Sequence, residues 1–277
     1  MTGAFLTMTH VQALKEAAIE AGAILMEGFN APESISFSKK QDGSFVSNYD
    51  LLSEARLLAR LRNLLPEIPV ISEEDTEEAT ISPPVFCTID PLDGTKNYLE
   101  GKKSFGVLLA VVENGDVTLG IAYLPAHDIL ITASAISPLT ITNSMLEPLT
   151  LPYKEKKAGE ISVAIHSRPA HEYASEHAMR YAEQACLKNI REQNFSLLAD
   201  TNTDELIRLA QVALGRLDLY IVHESLARIW DIAPFKIILE KAGGVLIHGE
   251  AFTRPYILQT TFIATANPAL RDLLLSP

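Results

Sequence analysis

Apolar residues recur every three or four positions over residues 9–29. Leu14, Ala18, Ala21 and Leu25 share one face there, and the period predicts an amphipathic helix. A second helix is expected over 50–65, with Asp50 as its N-cap, Leu51, Ala55, Leu58 and Leu61 on its apolar face, and Pro66 past its end. Between them KKQDGSFVSNYD is polar and reads as a loop entering a short strand. PVIS (69–72) and VFCTI (85–89) read as buried strands, each followed at once by acid. SFGVLLAVVENGDVTLGIAYLPA (104–126) reads as two strands joined by Asn114-Gly115, because both turn residues tolerate positive φ. The first half therefore predicts α+β structure, with helices covering an antiparallel sheet.

The pattern loosens from about 138 to 160, where prolines and a lysine cluster interrupt it. A boundary between two lobes, 1–150 and 151–277, is placed here. Beyond it come a strand at 161–165, a helix at about 171–187, a strand near 192–198, a helix at about 203–214, a strand at 217–222, a helix at about 232–242 and a strand at 244–248. That alternation predicts an α/β second lobe. The 250–277 tail receives no element, and no internal repeat is present.

A chain of 277 residues that is 47% hydrophobic can bury a substantial core. No stretch approaches the roughly 18 consecutive apolar residues of a membrane span. The N-terminus lacks a basic run before an apolar one, so no signal peptide is expected. With two cysteines, Cys87 in an apolar strand and Cys186 in a helical pattern, a reducing cytoplasm is the expected compartment. The net charge of −12 argues against a nucleic-acid polymer as main partner. It also argues against an anionic substrate, unless the acidic groups hold divalent cations that reverse the local field.

Three acidic places can hold such cations. Glu73 and Glu74 follow one strand, Asp90 and Asp93 follow another, and Asp231 precedes the helix IAPFKIILEKAGG. Hard divalent ions take oxygen ligands, and clustered carboxylates repel one another until a cation neutralises them. In Asp90-Pro91-Leu92-Asp93 the middle pair holds the aspartates apart, and Leu92 offers its carbonyl. Gly94-Thr95 opens a helix start whose free N–H groups suit a phosphate, and Lys96 points the same way. Each piece also has a plainer reading. Asp231 can be a helix cap, EEDTEE a solvated loop, Asp93-Gly94 a turn, and Thr95 a capping hydroxyl. Trp230 reads as a core anchor that fixes Asp231, Lys102-Lys103 as a solvated loop, and the seven scattered histidines as ordinary surface or core residues. The D-x-x-D-G-T spacing is one residue longer than the D-x-D-G-T of haloacid-dehalogenase-type phosphatases, which spoils that nucleophile and acid geometry.

IDPLDGTKNY (89–98), ISEED (71–75) and WDIAPFKIILEKAGG (230–244) together resemble the inositol monophosphatase superfamily over most of the chain. The resemblance implies a layered α-β-α-β-α sandwich and a lithium-sensitive, Mg²⁺-dependent phosphomonoesterase using two or three ions. It implies Glu73, Asp90, Asp93, Asp231 and the Leu92 carbonyl as metal ligands, and Thr95 with Asp50 activating a water. Glu73 would share in that catalytic step, and the Gly94 and Thr95 amides would hold phosphate oxygens. The partner implied is a small phosphorylated metabolite, with no nucleic-acid polymer and no membrane; homodimers occur in the family. Within it, PVISEED, KQDGSFVSNYD, Lys96 and HSRPAHE (166–172) are similar to the 3′(2′),5′-bisphosphate nucleotidases. The first substrate expected is accordingly 3′-phosphoadenosine 5′-phosphate, with Arg168 or a loop lysine on its second phosphate. Asn97-Tyr98 is similar to the inositol monophosphatases instead, and Asp204 or Glu205 could accept from ring hydroxyls. A sugar bisphosphate or histidinol phosphate also stays open, and a non-catalytic metal- or partner-binding homologue is the alternative from another class. Three departures from the family pattern fall where substrates are read: Ser47-Asn48, Asp204-Glu205 and Pro234-Phe235.

Overall fold

The computed structural model describes residues 6–41, 43–74, 83–149, 161–167, 195–198, 205–223, 227–248 and 261–275. Helix α1 (Met8–Asn30) starts at Thr7, whose hydroxyl accepts the His10 amide while His10 accepts the Thr7 amide. A short hairpin follows, β1 (Phe37–Lys39) against β2 (Phe45–Ser47), where the sequence pattern predicts a loop and one strand. Helix α2 (Asn48–Leu64) is capped by Ser47 and not by Asp50. Asp50 is the third residue of its first turn and closes the reciprocal half of the capping box.

The first sheet has the order β3 (Val70–Ser72), β4 (Val85–Asp93), β5 (Gly106–Glu113), β6 (Asp116–Leu124), β7 (Ile129–Ser134) and β8 (Ser137–Thr142). All neighbours are antiparallel except β3 and β4. Strand β4 runs four residues past the predicted VFCTI, through an irregularity between Asp90 and Asp93, into the short helix α3 (Thr95–Leu99). Asn114 and Gly115 turn the β5–β6 hairpin with φ of 53° and 87°, as two left-handed residues should. Strand β8 occupies part of the stretch predicted to be loose. It is an edge strand with mixed burial, and its Pro138 hides the alternation from a reading of the sequence.

The second sheet has the order β10 (Phe195–Leu198), β9 (Ile161–Ser167), β11 (Leu219–His223), β13 (Thr261–Thr265) and β12 (Val245–His248). Strands β10, β9 and β11 are parallel, and β13 joins antiparallel between β11 and β12. Helices α4 (Glu205–Ala213) and α5 (Ile229–Lys241) belong to it in sequence. Strand β13 and helix α6 (Pro268–Leu275) lie in the tail, where the sequence pattern predicts no element. The predicted helix at 171–187 lies outside the described residues.

Three apolar clusters stack these parts. Leu14, Ala18, Leu25 and Leu57 of α1 and α2 cover one face of the first sheet through Ile89, Leu109 and Ile121. Leu209 of α4 and Trp230, Phe235 and Ile238 of α5 fill the space between Leu108 and Ile131 of the first sheet and Tyr220 and Phe262 of the second. Leu270 of α6 packs on Leu219 and Ile263 at the outer face. The layering is α-β-α-β-α.

Helix α5 approaches the first sheet closely at Gly120 of β6, where an added Cβ would lie 2.1 Å from the Pro234 carbonyl oxygen. Gly120→Ala is therefore expected to lower the unfolding free energy by about 1–3 kcal/mol, as overpacking does. Urea unfolding measures it, and wild-type stability in the variant would contradict this contact. Among the described residues no helix is long and apolar enough to cross a membrane.

Candidate active site

The irregular end of β4 is the foundation. The Asp90 carboxylate accepts the Leu92 amide at 3.0 Å, which bends the Pro91-Leu92 segment around it. The Ser53 hydroxyl of α2 holds the Pro91 carbonyl at 2.7 Å. Gly94 then takes φ 83°, a left-handed step that a Cβ would strain, and turns the chain into α3. These fixed bonds set Asp90 and Asp93 on one side of the strand end.

Asp231 arrives from α5. It is the third residue of that helix, not a residue before it as the pattern predicts, and its carboxylate accepts the Arg228 amide at 2.6 Å. Asp231 is thus not the N-cap, which is Arg228; its carboxylate closes the reciprocal half of the capping box through one oxygen. Carboxylate oxygens of Asp90, Asp93 and Asp231 all lie within 4.8 Å of one another. Trp230 is buried between the sheets beside this residue, with the Arg228 guanidinium 6.0 Å from its ring centre.

Glu73 closes the other side. Its amide donates to the Ile89 carbonyl at 3.2 Å, so the end of β3 is tied to β4, and the charge of its carboxylate is felt at Asp90. Burial pushes Asp90 well above the usual carboxylate range, and the charges of Glu73, Asp93 and Asp231 push it further. Burial and Glu73 do the same to Asp231, against the pull of the Arg228 amide. Glu74 rises to about 7 for the same first reason. This is an electrostatic frustration that a hard cation relieves, and every donor present is an oxygen. The residues fit a divalent ion such as Mg²⁺.

Thr95 and Asp50 sit together beside the triad. The Thr95 hydroxyl lies 2.9 Å from Asp50 and 3.0 Å from the Leu92 carbonyl. The other Asp50 oxygen accepts the Ser47 amide at 2.8 Å and the Ser47 hydroxyl. Asp50 is fully buried, and burial raises its pKa while these hydrogen bonds oppose the rise.

The remaining residues divide. Glu205, the first residue of α4, is close enough for its charge to raise the pKa of Asp231. Arg168 and Asp204 lie outside the described residues. Lys102 pairs with Glu100 at 2.6 Å on an exposed loop, as the sequence suggests. Lys40 is a neighbour of this centre that the sequence pattern does not single out. Its ammonium contacts Glu73 at 3.2 Å and Glu74 at 2.8 Å. It opens the polar KQDGSFVSNYD stretch, and nothing local links that stretch to an acid pair 33 residues away.

Comparison with known proteins agrees with this geometry. The model of the inositol monophosphatase family matches residues 8–277, and the chain belongs to that family. It is a family of metal-dependent phosphatases acting on small phosphorylated substrates. The chain is 28% identical over 264 residues to Nus factor SuhB of Escherichia coli K12, covering 94% of this chain and 92% of that one. It is 27% identical over 263 residues to the inositol-1-monophosphatase of Bacillus subtilis, covering 92% and 91%. Similarity to the 3′(2′),5′-bisphosphate nucleotidase CysQ of Salmonella typhimurium is 33% but spans only 116 residues, 41% of this chain and 47% of that one. The IMPase of Thermotoga maritima has the same fold, with a TM-score of 0.70 at 21% identity over 96% of each chain.

Proposed function

We propose that this chain is a Mg²⁺-dependent phosphomonoesterase whose substrate is a polyol monophosphate of the inositol phosphate class. The observation that carries the reading is the convergence of Asp90, Asp93 and Asp231 within 4.8 Å, beside a hydrogen-bonded Thr95–Asp50 pair. Asp90, Asp93, Asp231, Glu73 and the Leu92 carbonyl would hold the metal. Bound there, Mg²⁺ supplies charge neutralisation for the phosphoryl oxygens and a lowered pKa for a water at the site. The chain's own part is orientation. The Thr95 hydroxyl donates its hydrogen bond to Asp50 or the Leu92 carbonyl and so would offer lone pairs to the attacking water. Gly94 and Thr95 amides, at the start of α3, would hold a phosphate oxygen.

Two observations favour the polyol over 3′-phosphoadenosine 5′-phosphate, the substrate first expected from short motifs. Similarity to the inositol-1-monophosphatase spans nearly the whole chain, whereas similarity to CysQ spans 41% of it. The charge of Glu205 is also felt at Asp231, and its carboxylate would accept from ring hydroxyls. The nucleotide remains the second reading, because the CysQ segment has the higher identity. Phosphate release with Mg²⁺, run side by side on inositol-1-phosphate and 3′-phosphoadenosine 5′-phosphate, decides between them. Preference for the nucleotide would overturn the polyol reading. Silence on both would favour a partner-binding role, a direction the name Nus factor suggests for SuhB.

Thr95→Val tests the orienting pair. It keeps the shape and removes the hydroxyl, so release should fall by about a hundredfold or more, in the range seen for a lost transition-state contact. Thr95→Ser should recover most of it. Equal loss in both variants would mean that the methyl group and not the hydroxyl matters.

A further inference from the structure

Both halves of the Thr95–Asp50 pair sit at the start of a helix. Thr95 opens α3, which has five residues, and Asp50 lies in the first turn of α2. A helix as short as α3 is not stable by itself, so what it packs against sets its direction. In α3 that contact is Tyr98, which is 1% exposed. Its hydroxyl donates to the Leu25 carbonyl of α1 at 2.7 Å. Its ring meets Phe105 edge-on, with centroids 4.9 Å apart, and its centroid lies 6.2 Å from that of Tyr49. Tyr49 is the residue before Asp50, and its hydroxyl bonds that of Ser34 at 2.7 Å. Both tyrosines land on Gly28 of α1, where an added Cβ would run into the Tyr98 hydroxyl and the Tyr49 ring. Burial raises the pKa of the Tyr98 hydroxyl, and Tyr49 and Asp50 add to the rise, so the hydroxyl stays a neutral donor.

We propose that Tyr98 is a positioning residue for Thr95: its hydroxyl, tied to α1, fixes the direction of α3 and with it the 2.9 Å bond from the Thr95 hydroxyl to Asp50. The inference rests on the reading of Thr95 and Asp50 as the pair that orients the attacking water. The physical argument is one of leverage. Thr95 and Tyr98 are three residues apart, on one face of one turn. Phenylalanine at 98 would keep the ring packing and remove only the tie to Leu25. Helix α3 could then rock about the left-handed Gly94, and Thr95 would move against Asp50. Misdirection of a group that acts on the reacting atoms costs rate more than binding. Tyr49 and Tyr98 thus give the two halves of the pair a common footing on α1, outside the strand end that carries Asp90 and Asp93.

The test is steady-state phosphate release by the full-length protein with Mg²⁺, on inositol-1-phosphate, or on 3′-phosphoadenosine 5′-phosphate should that be the ester the wild type prefers. Tyr98→Phe should lower kcat by about tenfold and leave KM within about twofold. In a Thr95→Val background the same change should cost at most about twofold, because groups that act as a unit are not additive. Tyr123→Phe is the matched control. Tyr123 is also buried, its ring occupies the space of a Cβ on Gly22 of α1, and its hydroxyl reaches Asp128 instead of the site. That variant should keep the wild-type kcat and KM, whatever it loses in melting temperature. Unchanged kcat in Tyr98→Phe, or a rise in KM alone, would overturn the proposal. The full loss repeated in the Thr95→Val background would overturn it too, since Tyr98 would then act apart from Thr95. An equal fall of kcat in Tyr123→Phe would reduce Tyr98 to general packing. No release by the wild type on either ester would remove the functional reading and this inference with it, whereas the outcomes that turn on the variants touch this inference alone.

Discussion

Asp93→Asn is expected to reduce Mg²⁺-supported phosphate release by about a thousandfold or more, as loss of a group that stabilises transition-state charge does. The substitution changes almost no volume. It replaces one anionic oxygen of a triad whose oxygens lie within 4.8 Å by a neutral amide. Hard cations discriminate sharply against that exchange. Mn²⁺ affinity should fall with activity in a direct titration. The metal-free variant should melt at or above the wild-type temperature, because the Asp93 charge opposes ionisation of Asp90. This opposite movement of stability and turnover separates a lost ligand from a misfolded protein. Undiminished release would remove Asp93 from the metal centre.

Metal-free protein should lose stability as pH rises from about 5 to 8, and Mg²⁺ should cancel the loss. Asp90, Asp231 and Glu74 hold protons more tightly folded than unfolded. Over the interval between the two pKa values the folded state binds more protons, so unfolding free energy decreases with pH. The contribution is complete below the ordinary carboxylate pKa and vanishes above the raised one. For Glu74 that interval runs from 4.5 to about 7. After discounting for solvent its part is on the order of 2 kcal/mol, one pKa unit being worth about 1.4 kcal/mol. A divalent ion at 100 times its dissociation constant returns about 2.7 kcal/mol. Thermal melts across this range in EDTA and in Mg²⁺ measure both effects. A flat profile in EDTA, or no shift with Mg²⁺, would refute the frustrated-carboxylate account.

The parts of this site that were legible in the sequence are those written in contiguous residues. Asp90, Asp93, Gly94 and Thr95 sit within one short run at a strand end, and the Asn114-Gly115 turn announces its hairpin through backbone freedom alone. Asp50 was found, but its capping role was misplaced. Ser47 and Asp50 both suit a helix start, and only the three-dimensional bonds show that Ser47 is the cap. Helix α5 starts earlier than predicted because Arg228 is no customary capping residue, and Pro234 inside it disguises the helix. Lys40 stayed hidden because its partners lie across a tertiary contact that no local period encodes. The insertion of β13 between β11 and β12 is equally non-local, and no residue between them signals the order.

The close seating of α5 on Gly120 fixes which part of the molecule Asp231 follows. That aspartate comes from the second half of the chain, yet its helix rests against β6 of the first sheet, the sheet that also carries Asp90 and Asp93. The groups proposed to hold the ion thus all rest on the first sheet. The second sheet carries none of these proposed ligands, so it is the part to remodel for a new leaving group. An engineer wishing to redirect this protein to another phosphate ester would graft there and leave α5 untouched.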